Sequence, residues 1–90
     1  MRRLEPCDAE RVAAWARRSG LATWTVESLR SAAAAPAAWT LVLEGGGRPV
    51  AAALGTVAAD EASLDLLIVD PDARRRGWGG RALGAWLDGA

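Results

Sequence analysis

Apolar positions follow a helical rhythm through the first third of the chain and a strand rhythm through the middle. Val12, Trp15, Ala16 and Ser19 recur at i, i+3, i+4 and i+7, with Arg11, Arg17 and Arg18 outside the stripe. Asp8 stands where a carboxylate can take the first orphan amides of a helix, and Gly20 stands where a left-handed closing residue belongs. The pattern predicts a helix over Asp8–Ser19, preceded by a short edge strand over Met1–Glu5 that ends at Pro6. A second helix is predicted from Thr25 as cap, with Trp24 and Leu29 at the spacing of a hydrophobic staple. It runs through Ala35, and Pro36 stops it, because proline disfavours helical geometry in the residue before it. Strands are predicted over Trp39–Leu43, Val50–Val57 and Ala62–Val69, joined by a turn at Gly45-Gly46-Gly47 and a tight connection at Asp60-Glu61. In the third strand Leu64, Leu66 and Ile68 alternate with Asp65 and Leu67, which sets Asp65 on the face opposite those three. Asp70-Pro71-Asp72 reads as a turn. Helical spacing returns at Ala82, Leu83, Trp86 and Leu87.

Composition narrows the chemistry. With 90 residues, 51% of them hydrophobic and 24% charged, the chain is one small globular unit. Eleven arginines balance eleven carboxylates, so no net field draws it to nucleic acid or to an anionic membrane, and neither is expected as a partner. Histidine, lysine, tyrosine and phenylalanine are absent. Their absence removes a Ser-His-Asp triad, a Cys-His dyad, a Schiff-base or Walker lysine and a zinc site of the usual ligands, so no metal is expected. Cys7 is the single cysteine, which fits a reducing, cytoplasmic setting. Beside Pro6, it reads as a small structural residue.

The informative stretch joins the third strand to the last helix through Arg74-Arg75-Arg76-Gly77-Trp78-Gly79-Gly80. Glycines let successive backbone N–H groups converge, a following helix adds orphan amides and the positive end of its dipole, and arginines add forked donors. This combination suits a pyrophosphate; the competing reading is a solvated basic turn. Gly77, Gly79 and Ala82 also fit the dinucleotide fingerprint G-x-G-x-x-G/A, but that motif opens a domain directly after its first strand, and here hairpins precede it.

Arg74, Gly77 and Gly79 satisfy the pattern [RQ]-x-x-G-x-[GA]. Together with Leu67-Ile68-Val69, Asp70-Pro71-Asp72 and Arg81-Ala82-Leu83, they resemble the acetyl-CoA-binding motif of the GNAT acyltransferase superfamily. Within it the stretch is most similar to the bacterial enzymes that acetylate the N-terminal alanine of a ribosomal protein. Trp24-Thr25 resembles their Pro-Trp-Ser segment, with Thr23 in place of the proline. The resemblance implies an α+β partial GNAT fold: an antiparallel-rich mixed sheet of three or four strands flanked by helices. It implies acetyl-CoA as co-substrate and an amine, a protein N-terminus or a small molecule, as acceptor. Leu67, Ile68 and Val69 would pair through their backbone with the pantetheine arm. Arg74, Arg75, Arg76, Gly77, Trp78, Gly79 and Gly80 would hold the pyrophosphate. The Trp78 ring reads either as a stacking surface or as an apolar anchor for the helix.

In this family the catalytic base and the tyrosine acid of the ribosomal-type enzymes follow the last helix seen here. Residues 1–90 therefore read as a single N-terminal portion of a GNAT domain. Glu61 and Asp65, on the strand that leads to the thioester, are the carboxylates offered as base; the alternative is that both are merely solvated. An open apolar edge on that strand implies self-association through it. A CoA-binding or partner-binding module without catalysis is the alternative function.

Overall fold

The computed structural model describes residues 2–73 and 76–89. Three helices, α1 (Ala9–Arg18), α2 (Val26–Ala34) and α3 (Trp78–Gly89), flank one sheet of β1 (Ala38–Gly45), β2 (Arg48–Ala58) and β3 (Glu61–Val69). The sheet order is β1-β2-β3 and both pairings are antiparallel. The α+β, antiparallel-rich architecture agrees with expectation. The edge strand expected over Met1–Glu5 is not formed as such: Arg2 makes one isolated bridge to Val42. Its run is cut short because Pro6 begins a 3-10 turn, Pro6–Asp8, that leads straight into α1.

That turn also changes the role of Asp8. Already helical at φ −76°, it makes no side-chain cap to α1. Its carboxylate instead accepts the Glu5 N–H at 2.7 Å and both arms of the Arg2 guanidinium at 2.6 and 2.9 Å. This buried carboxylate is held below its usual pKa, chiefly by the hydrogen bond from Arg2. The other helix ends follow the sequence. The Leu21 N–H bonds to the Ala16 carbonyl and Gly20 to Arg17, with Gly20 at φ +78°, which closes α1 in a Schellman motif. Thr25 and Ser28 form a reciprocal capping box on α2. Ala35, before Pro36, has already turned to an extended ψ of 144°, so α2 ends one residue earlier than expected.

The sheet separates two apolar layers. On one face Val12, Trp15, Ala16 and Leu29 of α1 and α2 pack against Val42, Ala52, Leu54, Leu66 and Ile68. On the other, Ala82 and Trp86 of α3 pack against Leu41, Leu43, Ala51 and Ala53. Central β2 is buried on both faces, and its alanines let both helical layers approach closely.

Both hairpins are tighter than the sequence suggests. Gly45 pairs with Arg48, so the turn is Gly46-Gly47 alone, both at positive φ, the geometry that matches strand twist. Ala58 pairs with Glu61, so the second turn is Ala59-Asp60, with Ala59 at φ +52°, and Glu61 already belongs to β3. Two bulges interrupt the alternation. Leu43 and Glu44 oppose Ala51 and Pro49, leaving Val50 as an extra residue; Leu54 and Gly55 oppose Leu66 and Leu64, leaving Asp65 as another. The bulge at Asp65 breaks the expected Leu64/Leu66/Ile68 face: Leu66 and Ile68 are buried, whereas Leu64 is 36% exposed.

Candidate functional site

Among the described residues β3 pairs with β2 alone, so its outer edge presents unpaired backbone groups. Beside that edge lies a groove of about 440 Å³, walled by Leu67, Ile68 and Val69, by Ser19 and Leu21 after α1, and by Gly79 in the first turn of α3. Three of the predicted positions on β3 and one predicted glycine thus meet in one depression. The side chains of these strand residues are engaged elsewhere. Ile68 is buried against α1, and Leu67 and Val69 pack toward α3. What β3 can offer a ligand is therefore its main chain.

α3 supplies the second element. Trp78, Gly79 and Gly80 open the helix, where N–H groups have no intrahelical acceptor. The Arg81 N–H makes the first helical bond, to the Gly77 carbonyl at 3.1 Å. A Cβ built on Gly79 would meet only a Val69 methyl at 3.6 Å, and one built on Gly80 would meet nothing within 4 Å. Glycine costs about 0.8–1.0 kcal/mol relative to alanine inside a helix. Two successive glycines with no packing reason leave a bare backbone ledge that a ligand can approach closely. The dipole of α3 makes that ledge favourable for an anion.

Trp78 belongs to the support of this ledge. Its ring lies against Gly45 and packs with Leu43, Val50, Ala51, Ala73 and Ala82, and the Arg81 guanidinium covers it at 5.0 Å. The ring is thus the apolar anchor of the helix. Arg76 and Gly77 precede it, with Gly77 at φ +76°. Arg74 and Arg75 lie outside the described residues.

An exposed ion pair ties the walls of the groove. Arg18, at the end of α1, holds Asp72, just past β3, at 3.0 and 3.3 Å. This bond lowers the Asp72 pKa and raises that of Arg18. The Asp72 N–H in turn bonds to Oδ1 of buried Asp70 at 2.9 Å. Glu61 and Asp65 are exposed and neither lines the groove, although both stand on the same strand. Ser19 and Leu21 are not among the expected cofactor-binding residues, although the family resemblance sets the loop from Gly20 to Thr25 on the acceptor side. The helix stop at Gly20 located their loop, but nothing local says that it folds back beside β3.

Solved structures superpose on this chain. The ribosomal-protein-S18-alanine N-acetyltransferase from Escherichia coli superposes with a TM-score of 0.86 at 27% identity, over 98% of this chain and 56% of that one. An acetyltransferase from Thermus thermophilus shares the fold, with a TM-score of 0.74 at 24% identity, over 98% of this chain and 66% of that one. The chain therefore spans between half and two thirds of the length of these structures. No curated protein matches the sequence. The family model of the GNAT acetyltransferase domain matches residues 3–88, and with strand edge, glycine ledge and helix arranged as described, the chain belongs to that family.

Proposed function

We propose that these 90 residues form the cofactor-binding portion of an acetyl-CoA-dependent N-acyltransferase that acts on an amine, either a protein N-terminus or a small molecule. The observation that carries the reading is the bare ledge at Gly79 and Gly80 beside the free edge of β3. The residues present suit the co-substrate. Main-chain groups of Leu67, Ile68 and Val69 would hold the pantetheine arm as an added strand. Amides from Arg76 to Gly80, with Arg74 and Arg75 on the sequence argument, would hold the diphosphate. When bound, acetyl-CoA supplies an acyl group activated as a thioester. The chain aligns that group against the attacking amine, whose proton a base must take. Glu61 and Asp65 are the carboxylates offered for that role. The reading is of a cytoplasmic protein that uses neither metal, nucleic acid nor membrane. Among the described residues no helix is long and apolar enough to cross a membrane. The open edge of β3 also supports self-association in the absence of ligand.

Calorimetric titration with CoA tests the reading. The wild-type chain is expected to bind, and Gly79→Val to bind at least about tenfold more weakly, because a branched side chain covers the ledge. No heat and no thermal shift in millimolar CoA would overturn it, since saturation at 100 times Kd adds about 2.7 kcal/mol of stability. A second reading, a CoA-binding module without catalysis, is favoured by the exposure of Glu61 and Asp65. Thiol release from acetyl-CoA in the presence of a peptide with N-terminal alanine separates the two.

A further inference from the structure

A second hollow, of about 410 Å³, lies beside the start of α3 and is lined by Gly45, Arg48, Asp72, Arg76 and Trp78 among others. Arg48 reaches it through the bulge in β2. Strict alternation from Ala51 would turn Arg48 to the α1 face, but the extra residue Val50 reverses the parity and brings Arg48 to the α3 side. Asp72 is the carboxylate in the lining, and both its oxygens are taken by Arg18. Among the described residues Arg48 and Arg76 hold no ion pair, so the hollow carries spare positive charge.

The groove and this hollow adjoin consecutive residues at the start of α3: Gly79 lines the first and Trp78, the preceding residue, lines the second. A ligand with a diphosphate on the amides between them can extend one arm into each. Coenzyme A has that form, with pantetheine on one side of its diphosphate and a 3′-phosphorylated adenosine on the other. Resting on the CoA reading above, we propose that Arg48, with Arg76, forms a subsite for the 3′-phosphate and so selects CoA over dephospho-CoA. Nothing in the glycine motif points to Arg48, which stands 26 residues before the first arginine of that loop.

The test is calorimetric titration of wild type, Arg48→Met and Arg76→Met with CoA and with dephospho-CoA. Wild type is expected to favour CoA by about tenfold, the size of a partly screened charge-assisted contact. Arg48→Met is expected to bring the two ligands within about twofold by weakening CoA alone, with Arg76→Met showing a smaller change in the same sense. Equal affinity of the wild type for both ligands, or equal loss of both in Arg48→Met, overturns the subsite and leaves the CoA reading standing. Failure of the wild type to bind either ligand removes both.

Discussion

Glycines around α3 serve two opposite purposes. Toward the C-terminal end, tryptophan rings fill the space that glycine leaves. Trp86 is 1% exposed and lies on Gly55, Trp39 lies on Gly89, and the two indoles each donate to the other's carbonyl, at 3.0 and 2.8 Å. A side chain at Gly55 would run into the Ser63 carbonyl and the Trp86 ring. At the N-terminal end, Gly79 and Gly80 adjoin almost nothing. One set of glycines is consumed by packing, and the other is left available. A helix held by Trp86 and Trp39 toward its C-terminal end, and by the Trp78 ring on Gly45 at its start, can present an unprotected ledge at Gly79 and Gly80 without losing its place on the sheet.

Substitutions along this axis should separate the two roles. The largest effect is expected from Gly55→Ala, where rigid backbone and a buried ring leave the new methyl no room; a loss of about 3 kcal/mol or more in urea unfolding would show it. A change below about 0.5 kcal/mol would mean that Gly55 is not a packing glycine. Asp8→Asn comes next, at about 1–3 kcal/mol near neutral pH, because it removes the charged partner of Arg2 in a buried setting. The folded-state pKa of Asp8 lies below its unfolded value of 3.8, so the wild type holds this contribution above that value. The contribution fades as pH falls from there through the folded pKa. Acid titration of stability should therefore be flatter in the variant, and equal slopes would contradict the pairing.

Gly84→Ala and Gly80→Ala sharpen the contrast from the other side. Both sites have open space for a methyl, so each should stabilise, by up to about 1 kcal/mol, with less at the first turn. CoA affinity should fall for Gly80→Ala and stay unchanged for Gly84→Ala. An equal response of the two would remove the special status of the ledge. Arg18→Ala is the smallest expected change: both partners are exposed, so melting should barely move.

Much of this architecture is written locally. Thr25 and Ser28 cap α2, Pro36 ends it, Gly20 closes α1, and the glycine run from 45 to 47 marks the first hairpin, because each depends on dihedral preferences and hydrogen bonds within a few residues. The basic glycine loop was legible for the same reason, as a contiguous run between a strand and a helix. Asp8 misled because its partner, Arg2, lies on the other side of a proline turn.

What the local code could not decide was parity and contact. Single extra residues at Val50 and Asp65 change which faces their neighbours share, and a bulge is visible only when the opposing strand is in place. Those bulges bring Arg48 beside the start of α3 and take Leu64 out of the core. Five tryptophans and ten glycines were countable from the start, yet which glycine carries a ring and which lies bare depends on surfaces that meet only after the sheet and α3 have docked.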